Sequence, residues 1–144
     1  MALSLRVDSS RLPLSSTTIF SGGILWRRGR DGEPEVCLAH AGKGWAIPLG
    51  PVHEDERLED AASRHVQHRT GCVGRMQRKL ERVPLGDDYA YFFLLRAAGD
   101  RAPAPACEWI PLPAAIRLVA SEGERRALAT ALGTLSAPRA RATA

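Results

Sequence analysis

The order of apolar and polar positions divides the chain into elements before any chemistry is considered. Residues 17–28 (TTIFSGGILWRR) are rich in β-branched and aromatic side chains and predict a strand. Gly22-Gly23 inside it marks a bend or a close backbone approach. The cluster GRDGEP at 29–34 contains Asp-Gly, a hairpin signal, and EVCLAH at 35–40 reads as the return strand. Residues 41–54 hold Gly42, Gly44, Pro48, Gly50 and Pro51, which implies an ordered loop or two short extended pieces around Trp45-Ala46-Ile47. Residues 57–69 then show helical spacing. Leu58, Ala61, Ala62 and Val66 share one face, and Gly71 supplies a stop.

Further strands are expected at 72–83 and 88–97, joined by a turn at 84–87. The second carries apolar bulk on both faces, as a central strand does. A loop at 99–105, a short strand at 107–110 and helices at 113–119 and 121–132 complete the order. Ser121 followed by Glu124 has the spacing of a capping box. The order ββ-loop-α-βββ-αα implies an α+β domain with a mixed sheet and helices packed on it. We expect one domain over 17–135, an irregular segment at 1–16 and a disordered basic tail at 136–144.

Composition changes this picture little. The 144 residues are 44% hydrophobic and 25% charged, in the globular range. No run approaches the ~18 apolar residues of a membrane span, so no membrane partner is expected. The start lacks the apolar core of a signal peptide, which favours the cytoplasm. Cys37, Cys72 and Cys107 are odd in number and far apart in sequence, as buried free thiols would be. The net charge of +4 is small. No linear cluster of Lys and Arg is interleaved with aromatics, which argues against dedicated nucleic-acid binding.

On the 57–69 helix, Leu58, Ala62, His65 and Arg69 fall along one stripe, with His68 beside it. If that stripe packs inward, an ionised Arg sits where burial is costly without a partner. Either the stripe lines a cleft or the end of the helix protrudes.

The stretch from Gly50 to Cys72 resembles the Nudix box, G-x5-E-x7-R-E-U-x-E-E-x-G-U, where U is apolar. Gly50, Glu56, Arg64, Val66, Gly71 and Cys72 match at the right spacings. The preceding WAIPLG (Trp45 to Gly50) is similar to many members, as are YFFL at 91–94 and EWIPL at 108–112. The resemblance covers roughly 17–133. It looks nearest the branch that cleaves diadenosine polyphosphates and diphosphoinositol phosphates. It implies the Nudix fold, a mixed sheet packed between helices as an α/β/α sandwich. It also implies structural roles for Glu56 and Arg64 as a salt bridge, and for Gly50 and Gly71 at the loop turn and helix exit.

The departures fall on the chemistry. The family's three glutamates, which ligate Mg²⁺ or Mn²⁺, are His65, His68 and Arg69 here. A hard divalent cation needs oxygen ligands. An often acidic upstream position is His53, and a frequent lysine before the box glycine is Leu49.

The leading expectation is therefore a Nudix-fold protein without ordinary Mg²⁺-dependent hydrolysis and without a cofactor. It would bind a nucleotide-like or phosphorylated small molecule, or a protein partner. Lys43, Trp45, Gly50, Arg64, His68, Arg69 and Tyr89 are the candidate ligand contacts, since Arg suits phosphate and aromatics can stack a base. One alternative is a divergent hydrolase of a nucleoside diphosphate linked to another moiety. It would use His65 as base and a divalent metal (Mg, Mn or Zn) held elsewhere. Separately, His53, His65 and His68 are candidate transition-metal ligands. Another is a structural or oligomerisation subunit such as a homodimer.

Overall fold

The structure is a computed structural model that describes residues 18–136. The expected 1–16 segment, and the expected tail beyond Ser136, lie outside the described residues. The described chain forms seven strands and three helices.

Strands β1 (Ile19–Arg28) and β2 (Pro34–Ala41) form the expected antiparallel hairpin, with Trp26 opposite Val36. The Gly/Pro-rich stretch resolves into two short strands, β3 (Gly44–Ala46) and β4 (Leu49–Pro51). β3 pairs with β2 and β4 with β1. Helix α1 (Leu58–Thr70) follows, then β5 (Gly74–Leu85), β6 (Asp88–Ala97), β7 (Cys107–Pro111), α2 (Leu112–Leu118) and α3 (Glu122–Ser136).

Several ends differ from expectation for local reasons. Arg57 is extended and precedes α1 rather than opening it. β5 starts two residues late because Cys72 N–H donates to Thr70 Oγ1, which keeps that residue in the helix exit. It then runs through Pro84, leaving only Gly86-Asp87 as the turn. Pro84 fits there because β5 is an edge strand. α3 extends past 132 to Ser136.

The sheet order is β3-β2-β1-β6-β5, with β4 on β1 and β7 on β2. β1 and β6 pair in parallel from Ile19–Tyr89 to Trp26–Arg96, so the sheet is mixed. β6 is central, as its two apolar faces required. One face packs on α2 and α3 through Trp26, Val36, Leu38, Phe92, Leu94, Leu112 and Leu128. The other packs on α1 through Leu25, Ala62, Val66, Phe93 and Leu95. The sheet thus lies between helices, as expected.

The inward face of α1 is the expected Ala61–Ala62–Val66 face, rotated away from the stripe through His65 and Arg69. Ala61, Ala62, Val66 and Thr70 are buried, whereas His65 is half-buried and Arg69 exposed. The close approach at Gly23 sets that rotation. A Cβ there would stand 2.5 Å from Val66 Cγ2.

The three cysteines, distant in sequence, are buried free thiols in the core under α1. Burial above all, with the neighbouring thiols of Cys107 and Cys72, pushes the Cys37 thiol up to about 12. It stays protonated and inert as a nucleophile. Among the described residues, no helix is long and apolar enough to cross a membrane.

Candidate functional site

The loop from Gly50 to Arg57 and the middle of α1 form one hydrogen-bonded unit. Arg64 grips Glu56 through two bonds of 2.9 Å, Nε to Oε2 and NH2 to Oε1. This bidentate geometry is the strong form of a carboxylate–guanidinium pair. Glu56 also accepts the His53 backbone N–H at 2.9 Å and returns its own N–H to the His53 carbonyl. The expected loop-to-helix salt bridge is therefore present. The Glu56 side chain retains 15% of its accessible surface.

The Arg64 bonds, then the His53 N–H, hold the Glu56 carboxyl well below its usual range, at about 2. The same contact raises Arg64, which stays charged. A depressed carboxyl stabilises the fold fully above its ordinary value of about 4.5, and that contribution is lost as pH falls towards 2. Between pH 4.5 and 2 the natural chain should therefore lose stability more steeply than a Glu56→Gln variant. Denaturant unfolding across that range measures it, and parallel curves would rule the linkage out.

Arg64 and His65 converge on the Pro51 carbonyl, Arg64 NH2 at 3.2 Å and His65 Nε2 at 2.9 Å. A carbonyl oxygen only accepts, so Nε2 carries the proton. If His65 serves as a base, it must do so through Nδ1. Its ring lies against Gly50, where an added Cβ would collide with the imidazole. Gly50 is thus required by close approach and not, as expected, by a turn, since it lies within β4 opposite Ser21. Gly71, with φ of 74°, closes the helix by donating to the Gln67 carbonyl.

The remaining candidates divide into separate places. His68 and Arg69 are exposed on the last turn of α1. There the Arg69 carbonyl accepts the Cys107 thiol at 3.4 Å. Their cationic or polarisable side chains are free to meet a ligand on the same helix as His65. Lys43 is exposed in the β2–β3 turn. Trp45 is half-buried on β3 and stacked against His40 with ring centroids 3.8 Å apart, so one of its faces is taken. Tyr89 is on β6, opposite Ile19. It lies two strand spacings, roughly 10 Å, from Pro51 across β1. No hydrogen bond or ring contact joins Lys43, Trp45 or Tyr89 to His65 or Arg64 among the described residues.

Mg²⁺ or Mn²⁺ does not fit these residues. The three ligand positions on α1 present an imidazole bonded to a carbonyl, a second imidazole and a guanidinium. Among the described residues, no three His, Cys, Asp or Glu side chains are placed to hold a metal ion. His53, His65 and His68 are accordingly not gathered into a transition-metal set.

Sequence reasoning missed one positioning group. Glu124 caps α3 as expected, its N–H donating to Ser121 Oγ at 3.1 Å. Its carboxylate does more. Oε1 accepts the Ser121 hydroxyl, and Oε2 accepts the Ile47 N–H at 2.8 Å in the core. This ties α3 to the loop that leads to Gly50. The capping spacing signalled Glu124, but not a partner 77 residues away.

No family profile and no curated relative matches this chain in sequence. Solved structures do match in three dimensions. The Ap4A hydrolase of C. elegans superposes with a TM-score of 0.74 at 17% identity, over 83% of this chain and 99% of that one. The NUDIX domain of Shewanella oneidensis NrtR, complexed with ADP ribose, gives 0.68 at 17% identity, over 85% and 91%. A NUDIX hydrolase from Nitrosomonas europaea gives 0.69 at 13% identity, over 88% and 77%. The chain has the Nudix fold.

Proposed function

From a Nudix fold whose helix carries no carboxylate at the ligand positions, we propose a binding module for a nucleotide-like, phosphate-bearing ligand that does not hydrolyse it by the usual metal route. The observation that carries this reading is the contrast within α1. The scaffold half of the motif is intact, with Glu56, Arg64, Gly50 and Gly71 in their bonded places. The ligand half is His65, His68 and Arg69.

In this reading Arg69 and His68 meet phosphate oxygens from the open side of the helix. A guanidinium does this without a metal, because its donors match the spacing of two phosphate oxygens. Arg64 and His65 hold the loop shape through Pro51 and leave no mobile base beside the ligand. The ADP ribose in the Shewanella domain supports the ligand class, though not its identity.

Thermal unfolding with ADP ribose, nucleoside diphosphates and dinucleoside polyphosphates tests the proposal. A ligand at a hundred times its Kd should stabilise the fold by about 2.7 kcal/mol. Arg69→Ala should reduce that shift, and chromatography of the mixture should show no product. Turnover by the natural chain that a chelator abolishes would overturn the proposal, as would a panel with no shift at all.

A further inference from the structure

The sheet face beside α1 is open over its β5–β6 half. α1 covers β1 and the inner ends of Phe93 and Leu95, but Met76 and Tyr89 remain exposed, Tyr89 by 39%. The antiparallel register places Lys79 opposite Phe93 and Arg82 opposite Tyr91, on that same face. Side chains from the two strands then alternate. The Lys79 ammonium stands 5.1 Å from the Tyr91 ring centroid, and the Arg82 guanidinium 4.4 Å from that of Tyr89. A cleft of about 250 Å³ between Leu58, Met76, Lys79 and Phe93 continues the row.

The charge on this strand is uncompensated. Arg75, Arg78, Lys79 and Arg82 are all exposed, and among the described residues none forms an ion pair. The one acidic residue of β5, Glu81, turns to the opposite face and meets Arg126 and Thr130 of α3. Two register shifts, between Met76 and Arg78 and between Lys79 and Glu81, leave Lys79 and Arg82 on the Phe93–Tyr91 face, while Arg75 and Arg78 pair with Arg96 and Leu94 on the face of Glu81. Charge on an exposed edge also discourages strand pairing. That role accounts for the cations but not for the exposed Tyr89 and the half-buried Tyr91 set beneath them.

We propose that this face binds single-stranded nucleic acid, with backbone phosphates on Lys79 and Arg82 and bases on Tyr89 and Tyr91. Exposed sheet aromatics interleaved with cations are what a flexible strand requires, because every base offers a π-face. A duplex keeps its bases stacked internally and cannot use the rings. The surface is distinct from the α1 ligand positions, so its test does not depend on the reading given above.

Fluorescence anisotropy of a labelled oligouridylate, its deoxythymidylate counterpart and a duplex measures the binding. Both single strands should bind, and the duplex more weakly. A preference for uridylate would place 2′-hydroxyl contacts on the same face. With two phosphate contacts, affinity should fall about sevenfold between 50 and 200 mM salt. Lys79→Glu/Arg82→Glu should weaken binding at least about tenfold. Tyr89→Ala/Tyr91→Ala should do the same, while Tyr89→Phe/Tyr91→Phe, which keeps the rings, retains it. The control Arg30→Glu/Arg117→Glu makes the same charge change elsewhere and should stay within about twofold. Equal loss in that control, duplex binding as tight as single-strand binding, or displacement of the oligonucleotide by ADP ribose would each overturn the proposal.

Discussion

The His65→Glu/His68→Glu/Arg69→Glu variant is expected to bind Mn²⁺ with a saturable isotherm, where the natural chain shows none up to millimolar metal. The three positions change from a formal charge of +1 to −3, with His neutral. Hard cations seek oxygen ligands and negative charge. The natural residues supply a guanidinium that repels the ion and two nitrogen donors, one of them bonded to Pro51. The scaffold that would present the new carboxylates is already built. Arg64 and Glu56 fix the loop, and Glu124 holds the segment ahead of Gly50 from the other side of the sheet. Titration calorimetry reads the binding, and product release from dinucleoside polyphosphates reads any accompanying turnover. A variant that melts like the natural chain yet binds no metal would show that more than the ligands has changed. The intact-scaffold argument would then be wrong.

Gly23→Ala should be among the most destabilising single-methyl changes in the molecule. The added carbon would lie 2.5 Å from Val66 Cγ2 and 2.7 Å from Leu95 Cδ1, where carbon atoms rest at about 3.5–4.0 Å. Leu95 has rotamer freedom to yield. Val66 is fully buried and stiff at χ1, so α1 must lift from β1 instead. Overpacking of this kind costs about 1–3 kcal/mol, or a fall in melting temperature of roughly 3–10 °C for a domain of this size. The decisive measurement is the double variant Gly23→Ala/Val66→Ala. Removing the valine methyls makes room for the new one, so the double should be less destabilised than the sum of the singles. Strict additivity would mean that the helix does not rest where Gly23 and Val66 meet.

The candidate site was legible in part. The spacing from Gly50 to Cys72 named both halves of the motif, the bonded scaffold and the altered ligand positions. Helical periodicity located α1 to within a residue at each end. It named Ala61, Ala62 and Val66 together, and these are buried, but it left open whether His65 and Arg69 continued the inward face. Gly23 lets Val66 approach β1 closely, with the Leu95 side chain beside it. The basic and aromatic residues form no cluster along the chain. Lys79 and Arg82 meet Tyr91 and Tyr89 only across the β5–β6 register.

By itself the sequence determined what depends on near neighbours: the order of strands and helices, the hairpin turn, the capping of α3, and the residues at each motif position. These follow from backbone preference and from side chains a few residues apart. Only the tertiary structure decided the parallel pairing of β1 with β6, the gathering of three cysteines under α1, the Glu124–Ile47 bond and the basic tyrosine face. Each joins residues tens of positions apart. Such contacts are set by how whole elements pack around a shared core, and no local pattern encodes them.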